Sequence, residues 1–543
     1  MATSHPSRRD PLPDIFVVSF ALMVLEIAYT RVFSFKLYYY FTYLILGTAL
    51  LGIGTGSVLL ALWPRLRAIP TERLLARCCL LAAGAVVLGY AVVVGVRLEA
   101  FALTLKPVES LRLLALIAAV FAPFLFGGIV VATILSRFVE RAGRLYAADL
   151  AGAALGCGAA VPLMMILTPP GCIMLAALMV ALPVLWLRRP LGIGAPTVVG
   201  GLAILVVGHT ALPDPAVDPA KTIGNPSAEH PVLFSAWHPV FRVDVTRALD
   251  DTYILSHDGN AGSSIRRYNG DPATLVAFDA DARRLPFSVL PPAPRVLIIG
   301  AAGGHEILAA LHFGASHVTA VELNPVTVSL LTTHFADFTG NIVRDPRVTL
   351  VNDEGRSFLA GTTERYDLIW FVAPDSYAAM NAGSAGAFVL SESYLYTVEM
   401  LELGLAHLTE QGVVSTMFGE LAGMTRPNRL TRYLGTARAA LERTGVAEAS
   451  NHLLAALQQF PGTAYPHTVT ILVGRTAWSD ERIGKFTAAV GAITNGEVEH
   501  AGTQSPTEGL LGAVLHAPTA DLAAWYAASA YDLRPVYDDA PFF

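Results

Sequence analysis

The chain has 543 residues, of which 54% are hydrophobic and 15% charged, with a formal net charge of −6. Its mean hydropathy of +0.52 is too apolar for a soluble enzyme of this length, so part of it is expected in lipid. The negative balance gives no sign of nucleic-acid binding.

The apolar mass precedes about Leu212. Seven stretches read as candidate spans: Ile15–Tyr29, Tyr43–Leu62, Leu80–Val96, Leu111–Leu135, Ala151–Leu167, Cys172–Leu187 and Val198–Ala211. Some are shorter than the ~20 residues a helix needs to cross hydrocarbon. The first reads as an anchor, because six more follow and no Ala-x-Ala cleavage site stands out. Arg8/Arg9, Arg65/Arg67/Arg73/Arg77, Arg137/Arg141/Arg144 and Arg188/Arg189 fall in alternate loops. By the positive-inside rule that pattern puts the N-terminus in the cytoplasm and, with seven spans, the rest of the chain outside. Glu26, Arg31, Lys36 and Asp149 lie in or beside apolar stretches, where charge is costly unless paired or facing water. Either they lock helices together or they line a pocket, and structural pairing is the favoured reading. All four cysteines precede residue 212, which leaves no thiolate metal site in the remainder.

The Pro- and Asp-rich segment Pro213–Pro219 reads as a linker within 213–235. Phe241–Arg247 and Thr252–His257 alternate apolar and polar residues as a β-hairpin, the heart of a small β module over 236–290. Strand and helix signals then alternate through 291–543, with strands expected at Val296–Ile299, Val348–Val351, Leu368–Val372, Val413–Met417 and Thr468–Val473. Helices are expected at Ile307–Phe313, Leu395–Leu408 and Leu430–Leu441. The fold class expected is therefore a multi-pass α-helical membrane domain (1–212), then the β module, then a doubly wound, Rossmann-like α/β domain.

The first strand of that domain runs into Gly300-Ala-Ala-Gly-Gly304 and a helix, and the second ends on Glu322. Gly300, Gly303 and Gly304 permit a tight turn whose N–H groups face a ligand, and the acid lies where a ribose diol binds in a doubly wound fold. The order strand, turn, helix, strand, acid points to an adenosyl cofactor, S-adenosylmethionine or a relative. After the third strand, Asp353 or Glu354 is placed to accept from an adenine amino group, with a helix cap as the equal alternative for each. After the fourth, Asp375 in Ala373-Pro-Asp-Ser-Tyr377 is placed to bind or deprotonate a nucleophile, an Asx turn being the alternative reading. Asp375 and Tyr377 are the catalytic candidates.

Together the hairpin, Asp258-Gly259, the glycine turn, Val321-Glu-Leu-Asn324, Asp353-Glu-Gly-Arg356, Tyr366-Asp-Leu-Ile369 and Glu392-Ser-Tyr394 resemble the spermidine synthase family of aminopropyltransferases. Gly143–Gly156, Glu26 with Arg31, and the closing Asp538–Phe543 are similar to bacterial members fused to membrane helices. The resemblance implies S-adenosylmethionine or its decarboxylated form as cofactor, a small amine or lipid acceptor, and Asp258, Tyr268 and Glu392 on the substrate side. The chain departs from the pattern at three places. Gly303 replaces an aspartate of the glycine turn, Val372 replaces the first acid of an Asp-Ser-Ser-Asp-type loop, and Asn260-Ala-Gly-Ser263 alters the motif after Asp258-Gly259. The expectation is a membrane-embedded transferase that is not an efficient spermidine synthase. Alternatives are a methyltransferase acting on a lipid or membrane-borne acceptor, and a non-catalytic nucleoside-binding transporter or sensor. A cytosolic cofactor argues for a cytoplasmic α/β domain in the inner membrane, against the charge bias; oligomerisation is left open.

Overall fold

The structure, a computed structural model, describes residues 10–38, 41–187, 194–221, 223, 230–249, 251–372, 391–420, 428–460, 467–504, 509–541 and 543. Its contacts divide the chain into two compact units. One comprises Met1–Thr246 with Ser256–Asn260, and the other Arg247–Leu255 with Ala261–Phe543.

The first unit is built on helices α1 (Leu12–Lys36), α2 (Thr42–Leu62), α3 (Thr71–Gly95), α4 (Pro107–Arg137), α5 (Ala142–Ala181) and the shorter α6 (Gly194–Val207). Among the described residues, five helices are long and apolar enough to cross a membrane, the last counted as Val139–Trp186. The fifth and sixth expected stretches both lie in that one segment. They part at Thr168, whose φ of 61° is non-helical, because Pro169 disfavours helical geometry in the residue before it. The seventh stretch corresponds to α6, only 14 residues long. Apolar side chains point outward along these helices, with Leu62 74%, Leu88 70% and Ile166 71% exposed.

Two sets of contacts mark opposite ends of the bundle. At the start of α1, Trp186 Nε1 donates to Asp14 (2.6 Å) and Arg141 pairs with Asp10 (3.9 Å). Nearby in the chain, Arg137 Nη1 donates to the Ile69 carbonyl (2.8 Å) and to Thr71 Oγ1 (3.0 Å). At the other end of α1, Lys36 Nζ donates to the carbonyls of Val96 (2.5 Å) and Ala216 (2.7 Å), and Tyr90 donates to that of Pro213 (2.7 Å). A helix of 25 residues separates these ends by ~37 Å. Of the charges in or beside the apolar stretches, Asp149 accepts from Ser19 Oγ and Arg31 pairs with Asp258, which fits the structural-pairing reading for those two.

Strands β1 (Val232–Ala236), β2 (Val243–Arg247), β3 (Thr252–His257) and β4 (Asn260–Arg266) form a four-stranded sheet in that order. The expected hairpin strands are β2 and β3.

The second unit carries an eight-stranded sheet. Its strands are β5 (Arg295–Ile299), β6 (His317–Glu322), β7 (Val348–Asn352), β8 (Tyr366–Val372), β9 (Leu408–Glu420), β10 (Leu453–Gln458), β11 (His467–Gly474) and β12 (Gly496–Ala501). The order is β12-β10-β11-β9-β8-β5-β6-β7. The β9-β8-β5-β6-β7 portion is parallel and the other three strands are antiparallel. Near-continuous burial of Val296–Ile299 and Leu368–Phe371 fits strands covered on both faces. Because β6 and β8 flank β5 and the chain winds outward both ways, the switch point lies at the carboxyl end of β5, where ligands of doubly wound sheets bind.

Candidate active site

The turn after β5 is built by its backbone. Gly300 and Ala301 N–H both donate to the Val321 carbonyl (2.9 and 3.0 Å), folding the turn onto the end of β6. Ala302 has φ +43° and Gly304 φ +78°. The left-handed Gly304 starts helix α7 (His305–His312), and a non-glycine residue such as Ala302 holds that region only at a cost the surroundings must offset.

The compensation comes from Glu322, 5% exposed. Its Oε2 accepts from Ala302 N–H (2.9 Å) and its Oε1 from Asn324 N–H (2.9 Å). Burial pushes its carboxyl above the ordinary range, while these N–H groups pull the other way. Each carboxylate oxygen has two acceptor directions, so the clamp leaves capacity for a ligand's hydroxyls. Asn352 Nδ2 donates to the carbonyls of Glu322 (2.8 Å) and Leu323 (3.1 Å), stitching the ends of β6 and β7 together.

The two acids after β7 divide the alternatives the sequence left equal. Glu354 caps helix α8 (Gly355–Gly361): its carboxylate accepts from Arg356 N–H (3.0 Å), Ser357 N–H (2.7 Å) and Ser357 Oγ (2.8 Å). Asp353 is exposed and accepts from Glu354 N–H (2.8 Å), so it is the freer of the pair.

Gly303 is closed to side chains. A Cβ there would drive into the backbone carbonyl of Ser264 on β4, with Ile265 also close. On the same strand, Ser264 Oγ lies 3.0 Å from His305 Nδ1. The His305 ring sits 5.0 Å from that of Phe278. Burial, then the nearby Arg283 and Arg266, hold His305 well below the usual imidazole range. Sequence reasoning missed Ser264, His305 and Asn352; the position of His305 directly after the glycine turn was the available signal.

Tyr268 N–H donates to the Phe338 carbonyl (3.0 Å), and Tyr268 packs against Gly340. Asp258, in the other unit, pairs with Arg31. Asp375 and Tyr377 lie outside the described residues, as does the side chain of Glu392, which belongs to the helical turn Ser391–Tyr396. Among the described residues no group of three or more His, Cys, Asp or Glu could hold a metal ion.

No family model matches the chain. A polyamine aminopropyltransferase of Korarchaeum cryptofilum is 30% identical over 83 residues, 15% of this chain and 26% of that protein. Another, of Pseudomonas syringae pv. tomato, is 35% identical over 78 residues, 14% of this chain and 27% of that protein. The matched segments are thus similar to parts of polyamine aminopropyltransferases. The chain matches about a quarter of the length of these two relatives. A solved spermidine synthase in complex with the transition state analogue AdoDATO is 17% identical, with a TM-score of 0.34, covering 52% of this chain and 87% of its own.

Proposed function

We propose that the α/β unit binds an adenosyl-sulfonium cofactor, S-adenosylmethionine or its decarboxylated form, in a transferase anchored to a lipid bilayer by the helical unit. The observation that carries this reading is the Glu322 carboxylate, clamped by Ala302 and Asn324 N–H groups at the switch point of the sheet. A ribose diol hydrogen-bonds to an acid so placed, and exposed Asp353 lies one strand along for the adenine amino group. The outward apolar side chains of the long helices support the bilayer as partner.

The acceptor is a small amine or a membrane-borne molecule, with Asp375 and Tyr377 as the catalytic candidates and Tyr268 and Glu392 toward the substrate. Orthodox spermidine synthesis is disfavoured. Aminopropyl transfer needs a neutral amine in line with the sulfonium carbon, and a placed base contributes roughly 10²–10⁴-fold. Val372 cannot supply that, and Gly303 leaves no carboxylate for the amino end of the transferred chain. Incubating the purified protein with putrescine and decarboxylated S-adenosylmethionine is expected to yield little or no spermidine. Robust turnover that collapses in Asp375→Asn would restore the orthodox reaction. The methyltransferase reading draws on the same two departures.

A further inference from the structure

The turn between β3 and β4 is held almost entirely by groups that precede it in the chain. Asp258 adopts φ +48°, a left-handed conformation that costs a non-glycine residue free energy unless contacts impose it. Five contacts do so. Its Oδ1 accepts from Arg242 N–H (2.9 Å) and pairs with the guanidinium of Arg31 on α1. Its Oδ2 accepts from Ser34 Oγ (3.0 Å), also on α1. Its N–H donates to the Arg242 carbonyl (2.9 Å), and its own carbonyl accepts from Lys221 Nζ (2.7 Å). Lys221 also donates to the carbonyls of Ser34 (2.9 Å) and Phe35 (2.8 Å) in the last turn of α1, where an ammonium is favoured by the helix dipole. The Arg31 and Asp258 side chains are only 11% and 16% exposed.

Six residues further along β4, the Ser264 carbonyl packs on Gly303 and the Ser264 hydroxyl meets His305. One strand therefore carries the anchored turn at its start and a wall of the glycine turn near its end. We infer that Arg31, with Ser34 and Lys221, is a positioning residue for the cofactor turn, acting from the first apolar helix through Asp258 and β4. On this view the Asp258 carboxylate is spent on the anchor rather than offered to substrate. The inference rests on the adenosyl-binding reading for its effect on ligand, but the anchoring of the turn stands apart from it.

The test uses the full-length protein in detergent micelles. Hydrogen exchange of the 252–266 segment is followed in wild type, Arg31→Gln, Arg31→Lys and Ser34→Ala, alongside calorimetric titration with S-adenosylmethionine. Arg31→Gln is expected to speed exchange in this segment while β5, β6 and β8 stay protected. It is also expected to weaken the cofactor about tenfold, a usual size for coupling between separated groups, and Arg31→Lys, which keeps the cation beside Asp258, loses less in both. Should Arg31→Gln fail to fold, Ser34→Ala gives the same pattern at smaller amplitude. Unchanged exchange in both Arg31→Gln and Ser34→Ala overturns the anchor, and unchanged affinity despite faster exchange overturns the positioning role. If wild type does not bind S-adenosylmethionine, the proposed function fails, and exchange alone then decides the anchor.

Discussion

Gly303 stands where the resembling enzymes carry an aspartate, and its surroundings make that acid more than a missing group. The Ser264 carbonyl occupies the space a Cβ would need, and backbone cannot swing aside as the end of a flexible side chain can. Gly303→Asp is therefore expected to lower the melting temperature, by an overpacking cost of about 1–3 kcal/mol, without bringing spermidine synthesis. A stable variant that gains aminopropyl transfer would show that the loss of the acid, and not the shape of the turn, sets the reaction. The sequence marked Gly303 as a departure, yet it held no sign of Ser264, which is 39 positions earlier and reaches the turn only through the fold. Glu322 was legible because its distance from the glycine turn reflects a local unit of strand, helix and strand. The split between Asp353 and Glu354 was not, since either neighbouring acid can cap a helix.

At the level of elements, the parallel strands were readable because burial on both faces demands continuous apolar runs. Leu453-Leu-Ala-Ala-Leu-Gln458 was not, since leucine and alanine are strong helix formers; it is a strand because β11 and β12 pair with it from both sides. The helix expected over Leu395–Leu408 is interrupted at Thr397, whose Oγ1 accepts from Met400 N–H (3.2 Å) and starts a new helix, Val398–Ala406. Two strands each carry a histidine drawn away from water, half-buried His257 and buried His500. His257 on β3 packs on Phe241 at 4.1 Å, and His500 on β12 lies 3.1 Å from the Ser450 carbonyl. Burial lowers both to about 4. Their folded pKa is depressed, so the unfolded chain takes the proton first. The stability they contribute is present above about pH 6.5 and is lost as pH falls toward 4, by up to ~3 kcal/mol for buried His500 and by less for half-buried His257, whose charge water screens. Thermal unfolding followed from pH 7.5 to 4.5 should show this decline, and His500→Gln should flatten it. An identical slope in that variant would assign the acid loss to carboxylates alone.

At the scale of the whole molecule, the ends of the apolar helices bear on sidedness. Arg141 pairs with Asp10 beside the start of α1, and residues 213–218 meet the opposite end, through Lys36 and Tyr90. The positive-inside rule puts the arginine-rich end in the cytoplasm, so the chain would leave the helical unit on the other side. This favours the charge bias over the argument from a cytosolic cofactor. A reporter fused after Phe543 is expected to be active only outside the cytoplasm, whereas activity inside would reverse the orientation and give the site direct access to intracellular cofactor. Whichever side it faces, the claim that everything else depends on is that the clamped carboxylate of Glu322 receives an adenosyl cofactor. Calorimetric titration of the detergent-solubilised protein with S-adenosylmethionine and with its decarboxylated form tests it most directly. The account predicts saturable binding of at least one of them by wild type, weakened by ~1–3 kcal/mol in Glu322→Ala through the lost hydrogen bonds. Equal affinity in both proteins, or no binding by wild type, would contradict it.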